Sequence, residues 1–283
     1  MRHAIPRRDF LATSALVAGA ALLGARPGLA KDERPEFGGF SIGIQSYSLR
    51  GYKVDEAIQH AKDLGFKHLE FFDGHFNVNS SAEEIDAMKE KMASLDLKML
   101  GHGVNSFGKD HEANRKIFEF AKRAGIRNIS AYPSADAFES LDQLVAEYDI
   151  RIAIHNHGPN SGYSKIVDVL NAVKDHHKHI GACADLGHFI RSGEDPVEAI
   201  RLLGDRLFGI HLKDFAEQKE QTRGVILGQG HLHVDGVFQA LRMVNFPADG
   251  CLSLEYEERP ENPLDDLKEC LAIAQEAAEK AAA

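Results

Sequence analysis

The sequence predicts an α/β fold made of one domain, an eight-stranded parallel (β/α)8 barrel of the TIM type. From Phe40 onward, apolar runs of strand length alternate with amphipathic runs of helix length, an order that produces a parallel sheet. Eight such units follow one another at intervals of mostly about 23 to 30 residues, which suits a closed barrel of about 250 residues. An open doubly wound sheet is the alternative, but no Gly-x-Gly-x-x-Gly run follows the first strand to support it.

The individual elements are predicted from the period of their apolar residues and from signals at the helix ends. The predicted strands are residues 42–47, 68–72, 97–102, 128–132, 151–155, 180–185, 207–213 and 251–256. Helices are predicted at 54–64, 82–95, 112–124, 137–148 and 164–176, and three more begin at Asp195-Pro196, near Asp235 and after Asn262-Pro263. Gly125 has the position of a helix C-cap. Asp195 followed by Pro196 has the pattern of an N-cap with proline at the first helical position.

Residues 1–30 are predicted to be a twin-arginine signal peptide, so that the barrel domain comprises residues 31–283. Arg7 and Arg8 precede an apolar run of roughly fourteen residues, and Gly28-Leu29-Ala30 offers small residues for cleavage. A membrane anchor is the alternative, but the run is shorter than the roughly 20 apolar residues that span a bilayer and is broken by Gly19. We therefore expect a periplasmic protein with no membrane association after cleavage.

Charge and cysteine content restrict the possible partners. The whole chain carries a formal charge of −10, and because residues 1–30 hold four arginines and one aspartate, the remainder carries −13. Such an acidic protein repels phosphate backbones, so we expect no nucleic-acid partner. The three cysteines have no paired spacing and are interpreted as small buried residues rather than as a disulfide framework. The sequence does not decide between a monomer and a homo-oligomer.

Four predicted strands end in residue types that bind metals: His155, Asp185, His211 and Glu255. The carboxyl ends of all strands in a (β/α)8 barrel meet at one mouth, where such enzymes build their sites. Two imidazoles and two carboxylates suit a divalent ion of intermediate hardness, such as Mn²⁺, Co²⁺ or Zn²⁺. A single histidine at a strand end is more often a hydrogen-bonded structural residue, and the prediction depends on the joint placement of all four.

The same region resembles a known family. Asp185-Leu186-Gly187-His188, His211-Leu212-Lys213-Asp214 and Leu254-Glu255-Tyr256-Glu257 occur in this order on strands six to eight, as in the xylose isomerase-like barrel superfamily. That group includes hexulose 3-epimerases, inositol-pathway isomerases and dehydratases, and the endonuclease IV nucleases. In the epimerases four ligands hold one divalent ion, and the resemblance places Asp185, His211 and Glu255 on three of them. The fourth is normally Glu, whereas this chain has His155.

The resemblance also suggests roles for neighbouring residues. His188 is expected to contact substrate oxygens, and Lys213, which shares the inward face of its strand with His211, could neutralise an enolate or a carboxylate. An ion pair of Lys213 with Asp214 or Glu257 is the structural alternative. His157 is a candidate for substrate binding because it follows His155 with the period of a strand. The further candidates are His102 and Glu70, near the ends of strands three and two, for which a structural role is equally expected.

We expect from these residues an exported, metal-dependent isomerase or epimerase that acts on a small hydroxy-carbonyl sugar or keto-sugar through an enediolate. Glu255 is the expected catalytic base, assisted by His188 and Lys213, and a bound ion would act as a Lewis acid on the carbonyl. The first alternative is a lyase or hydratase that acts on a 3-keto-sugar or glycoside. An endonuclease IV-like nuclease and a non-catalytic sugar-binding barrel are further alternatives. Because a metal-bound histidine on strand five cannot serve as the second base, we expect no efficient 3-epimerisation of free ketohexoses.

Overall fold

A computed structural model describes residues 36–283 of the protein, and within them eight parallel strands form a closed barrel. The strands are β1 (Ile42–Gln45), β2 (His68–Phe71), β3 (Lys98–Phe107), β4 (Asn128–Pro133), β5 (Arg151–His155), β6 (Ile180–Asp185), β7 (Leu207–Leu212) and β8 (Cys251–Leu254). Each strand pairs with its neighbours in sequence order, and β1 pairs with β8 to close the barrel, with Ile42 beside Leu252 and Ile44 beside Leu254. The predicted (β/α)8 barrel is therefore confirmed and the open sheet is excluded.

Helices connect the strands as predicted. They are α1 (Val54–Leu64), α2 (Ala82–Ser94), α3 (His111–Ala124), α4 (Phe138–Tyr148), α5 (Ile166–Val173), α6 (Leu186–Arg191), α7 (Pro196–Leu203), α8 (Val234–Met243) and α9 (Leu264–Lys280). Gly125 caps α3 with a φ of 78°, in the left-handed region that glycine adopts without strain, and Asp195 caps α7 through the amides of Val197 and Glu198. The helix α6 was not predicted from the sequence; it follows β6 directly and becomes part of the site.

The strand boundaries differ from the predicted ones mainly at the barrel mouth. β3 continues to Phe107 instead of ending near residue 102, because polar residues such as Asn105 and Ser106 pair with β4 beyond the apolar run. Residues 46–49 form a 3-10 turn rather than the end of β1. β7 and β8 end one residue before Lys213 and Glu255, so both of these side chains project from the edge of the barrel wall.

The barrel has an apolar exterior beneath the helices and an interior that is largely polar. The outward side chains of the strands, such as Ile152, Ile210 and Leu254, belong to one continuous hydrophobic core with the helices. The interior instead contains buried polar groups and small residues, which are Glu70, Ser130, Cys183, Gly101, Gly209, Cys251 and Ser253. A Cβ at Gly101 would lie 2.7 Å from the sulfur of Cys251, and one at Gly209 would lie 2.9 Å from that of Cys183. Glycine therefore makes room for the polar groups below the mouth.

The expected signal peptide, residues 1–30, lies outside the described residues. Among residues 36–283 no helix is both long and apolar enough to cross a bilayer. Changing Arg7 and Arg8 together to Lys is expected to keep the precursor in the cytoplasm, because the twin-arginine route requires the pair. Immunoblots of fractionated cells measure this result, and efficient export of the double variant would contradict the proposed signal.

Candidate metal centre

The four side chains predicted as metal ligands converge at the carboxyl ends of their strands. Ligand-type atoms of His155, Asp185, His211 and Glu255 all lie within 4.8 Å of one another. The Nδ1 atom of His211 is 3.1 Å from His155 Nε2, 3.0 Å from Glu255 Oε2 and 3.7 Å from Asp185 Oδ2. All four residues are buried, and Glu255 is the most exposed of them at 7%. The structure thus brings together the four side chains that were predicted from the strand ends to bind one ion.

This donor set fits a divalent cation. Two imidazole nitrogens and two carboxylate oxygens form a four-ligand site of mixed hardness, which suits Mn²⁺, Co²⁺ or Zn²⁺. Within the described residues, Asp185 Oδ2 and Glu255 Oε2 are buried and make no hydrogen bond. Lys213 Nζ lies 2.8 and 2.7 Å from these two oxygens, at ion-pair distance but without hydrogen-bond geometry. Four ligand-type atoms converge on one buried point, and two of them are carboxylate oxygens free of hydrogen bonds, so the cluster is a candidate metal centre.

Asp185 is held in place by two local features. Its Oδ1 accepts a hydrogen bond from His188 N at 2.8 Å and caps α6, which leaves Oδ2 directed at the cluster. The side chain of Asn156 clamps its backbone, because Asn156 Oδ1 accepts from Asp185 N at 2.8 Å and Asn156 Nδ2 donates to Asp185 O at 2.9 Å. Asn156 therefore joins the ends of β5 and β6, a role that the sequence analysis did not assign.

Lys213 lies between the ligand carboxylates and the cavity. Its Nζ donates a 2.6 Å hydrogen bond to Glu257 Oε1 in addition to its ion pairs with Asp185 and Glu255. Of the two ion pairs considered from the sequence, the structure forms the one with Glu257. Asp214 faces away and accepts hydrogen bonds from the amides of Gly228, Gly230 and Leu232.

The charges of the cluster stabilise one another. Burial would raise the pKa of Asp185, but His188, Lys213 and the nearby imidazoles of His155 and His211 hold it well below its usual value. Burial would likewise raise the pKa of Glu255, which Lys213 and His211 instead depress. Burial would lower the pKa of Lys213, which the surrounding carboxylates raise well above its usual value. Both ligand carboxylates are therefore ionised near neutral pH, which is the form that binds a cation.

A cavity of 380 Å³ opens next to the cluster. Its lining consists of Gln45, Tyr47, Phe72, Asp73, Gly103, Val104, His155, His157, His188, Arg191, Lys213, Glu255 and Glu257. The wall near the solvent is partly apolar, since Tyr47 is 36% exposed and packs edge-on against Phe72 with ring centroids 5.3 Å apart. The volume suits a small organic molecule with polar groups at the end that faces the four-residue cluster.

His157 and His188 form one wall of this cavity, as their predicted substrate-contacting roles require. Their rings stack with centroids 4.3 Å apart and planes 25° from parallel. Burial is the largest cause that lowers the pKa of His188 to about 2, and burial together with His155 lowers the pKa of His157. Both rings are therefore neutral near pH 7 and can donate and accept hydrogen bonds to sugar hydroxyls.

The structure does not bring Glu70 and His102 to the cavity, where the sequence analysis placed them as substrate-binding candidates. Glu70 is fully buried inside the barrel below the candidate metal centre, and His102 is 1% exposed, with Nε2 2.7 Å from Phe76 O. Neither residue belongs to the cavity lining. His102 is hydrogen-bonded on its other nitrogen by Asn105 Nδ2 at 3.0 Å, so it ties the turn after β2 to β3.

The long connection after β7 does not contribute to the cavity. None of the residues of its glycine-rich part, 228–233, belongs to the lining. A short antiparallel ladder pairs Asp214 with Val225 and Phe215 with Gly224, and Asp214 fixes the following turn through three backbone amides. Asp214 therefore has a structural role in this segment.

Several cavity residues were not identified from the sequence. Arg191 lies one helical turn after His188, with its Nη1 3.5 Å from His188 Nδ1, and the i, i+3 spacing would have indicated it if α6 had been foreseen. Glu257 follows Glu255 with the period of a strand, which also puts it on the cavity side. Gln45 is the last residue of β1 and Tyr47 lies just past it, whereas Phe72 and Asp73 follow the end of β2. No sequence pattern marks these positions.

Comparison with known proteins agrees with the geometry. A sequence profile of the family described as Xylose isomerase-like TIM barrel matches residues 58–277. The inosose dehydratase of Lacticaseibacillus casei is 24% identical over 280 residues, with 84% of this chain and 90% of that protein covered. The inosose dehydratase of Clostridium botulinum (strain Eklund 17B / Type B) is 30% identical over 149 residues, and the chain spans 49% of that protein's length. A crystal structure of an uncharacterised protein from Parabacteroides distasonis ATCC 8503 is 26% identical, with a TM-score of 0.66 and coverage of 84% of this chain and 99% of that one.

Proposed function

The chain belongs to the xylose isomerase-like TIM barrel family, and on that basis we propose that it is a divalent-metal-dependent lyase of keto-sugars. In the proposed reaction, the enzyme removes the proton beside a carbonyl group and expels an oxygen leaving group from the next carbon. The sequence by itself favours isomerase or epimerase chemistry, with a lyase as the alternative. Similarity to proteins named inosose dehydratase supports the lyase, since dehydration is such an elimination.

Of the four ligand residues, only His155 and Glu255 line the cavity, and Asp185 is fully buried and outside the lining. A histidine that gives the lone pair of one nitrogen to a cation has no basic nitrogen directed at the substrate. Glu255 is therefore the one ligand side chain that can accept a carbon-bound proton. A single base suits elimination, or proton return on the same face, better than inversion at carbon.

The residues of the cavity account for each step of the elimination. A divalent ion held by His155, Asp185, His211 and Glu255 would act as a Lewis acid towards the substrate carbonyl. Glu255, kept ionised by Lys213 and His211, accepts the proton from the carbon beside the carbonyl. The electron pair of that C–H bond forms the carbon–carbon double bond as the C–O bond of the leaving group breaks. The departing oxygen takes a proton back from Glu255 or from water. His157 and His188 orient hydroxyl groups.

Isomerisation is the second candidate, because it needs the same initial proton abstraction. If Glu255 returned the proton to the adjacent carbon on the same face, the product would be an aldose–ketose isomer rather than an unsaturated ketone. The departure from the family pattern at His155 disfavours epimerisation in particular, since the opposite face of the substrate then has no metal-ligand carboxylate to reprotonate it.

The experiment compares keto-glycosides and 3-keto-sugars with free ketohexoses, using residues 31–283 and Mn²⁺ or Co²⁺ in D₂O. We expect loss of a carbon-bound proton and the ultraviolet absorbance of a conjugated enone from the keto-sugars or keto-glycosides, both abolished by a chelator. We expect no rapid C3 epimerisation of D-fructose, D-tagatose or D-psicose by proton NMR. Rapid C3 epimerisation would contradict the single-base account, and proton exchange without elimination across the panel would favour the isomerase.

A further inference from the structure

Glu70 is a fully buried carboxylate in the barrel interior, directly below the candidate metal centre. Its Oε1 accepts a hydrogen bond from Ser130 Oγ at 2.5 Å, and its Oε2 accepts one from Ser253 Oγ at 2.7 Å. The same Oε2 lies 3.0 Å from Nε2 of His211. Gly101 leaves space for this group, because a Cβ there would lie 3.4 Å from Glu70 Cγ.

The two nitrogens of His211 therefore face different partners. Nδ1 faces the cluster, 3.0 Å from Glu255 Oε2, whereas Nε2 faces Glu70. An ionised carboxylate can only accept a hydrogen bond, so the contact with Glu70 requires a proton on Nε2. A proton fixed on Nε2 leaves the lone pair of Nδ1 available for coordination.

Glu70 is ionised despite its burial. Both of its oxygens accept hydrogen bonds from serine hydroxyl groups, Oε1 from Ser130 and Oε2 from Ser253, and Oε2 also faces Nε2 of His211, which is the arrangement of an ionised carboxylate. A buried negative charge costs free energy unless it is paired. Within the described chain, Glu70 pairs with the candidate ligand His211 and not with a lysine or an arginine. This pairing connects its charge to the candidate metal centre.

We propose that Glu70 is a positioning residue of the metal centre, which holds His211 in the tautomer that presents Nδ1 to the ion and strengthens this ligand by its charge. The proposal rests on the metal site of the proposed function and not on the reaction itself. Carboxylates that hydrogen-bond the distal nitrogen of a ligand histidine orient the ring and raise its basicity, and their loss typically weakens metal binding by about 10- to 100-fold. Glu70 thus contributes to ion binding without touching the substrate.

A purely structural role is the competing explanation, since Glu70 also ties β2 to β4 and β8 through Ser130 and Ser253. The two explanations differ in what they predict for metal affinity. A structural residue would change the melting temperature of the metal-free protein and leave the dissociation constant for the ion unchanged. A positioning residue changes the dissociation constant even where the melting temperature is retained.

The test is calorimetric titration of Glu70→Gln with Mn²⁺ at fixed pH, beside the wild type. Glutamine has nearly the same shape, and its carbonyl oxygen can keep the contacts with Ser253 and His211 while the charge is lost. We expect the dissociation constant to rise about 10- to 100-fold.

Ser130→Ala is the matched control, because it removes a hydrogen bond to Oε1 and leaves the contact between Oε2 and His211. We expect the control to lower the melting temperature with chelator present and to leave the dissociation constant within about twofold of the wild type.

Three results would overturn the proposal. The first is a dissociation constant for Mn²⁺ in Glu70→Gln equal to that of the wild type, with or without a lower melting temperature. The second is coordination of the ion by Nε2 of His211 instead of Nδ1. ¹⁵N NMR of the Zn²⁺-loaded wild type measures that directly, so the proposal stays testable if the Gln variant does not fold. The absence of any metal binding by the wild type would refute the metal site itself, a failure distinct from that of Glu70.

Discussion

Replacing Glu255 with Gln is expected to lower turnover by at least about 10²-fold while much of the metal binding is retained. The factor is the usual contribution of a positioned acid or base. Glutamine is close in shape, and its amide oxygen can still face the ion, but an amide cannot accept a proton near neutral pH. Glu255 lines the cavity beside Lys213, and its low pKa keeps it in the proton-accepting form in the wild type.

Glu257→Gln is the matched control for this prediction. Glu257 lines the same cavity and pairs with Lys213 at 2.6 Å, but it is not one of the four ligand residues. Steady-state kinetics on the substrate found in the panel, with metal content measured in parallel, should show a much smaller loss for this control. Turnover near the wild-type value in Glu255→Gln would move the base to another cavity group, with His157 and Lys213 as the next candidates.

Replacing Asp185 with Asn is expected to abolish metal binding and activity together, while the fold survives. The two oxygens of Asp185 have separate roles, since Oδ1 caps α6 through the amide of His188 and Oδ2 faces the other ligands. An asparagine can keep the cap with its oxygen, but the nitrogen at the other position has no lone pair for a cation. We expect circular dichroism like that of the wild type and turnover at background level.

The fold was predictable because its signals are local. Ile152 and Ile154 alternate with Ala153 and His155 in β5, and this strand period recurs in the apolar runs along the chain. The closure of β1 onto β8 followed from the number of units rather than from either strand alone. The helix α6 was missed because it has only six residues and begins immediately after β6, so neither a helical period nor a connecting loop marks it.

The site was predictable where a strand end alone decides the position of a side chain. His155, Asp185 and His211 belong to this class, as each lies at or next to the last residue of its strand. Glu70 also lies near the end of its strand, yet its carboxylate is below the mouth. The depth of an inward side chain depends on the stagger between strands around the closed barrel, which distant pairings determine. The sequence of β2 alone could not reveal that depth.

The central claim is that His155, Asp185, His211 and Glu255 hold one divalent ion beside the cavity. Calorimetric titration of chelator-treated residues 31–283 with Mn²⁺ tests it most directly, with Asp185→Asn titrated beside the wild type. We expect one binding site per chain in the wild type and no detectable binding at the same concentrations in the variant. Undiminished binding in Asp185→Asn, or no binding of Mn²⁺, Co²⁺ or Zn²⁺ by the wild type, would contradict it.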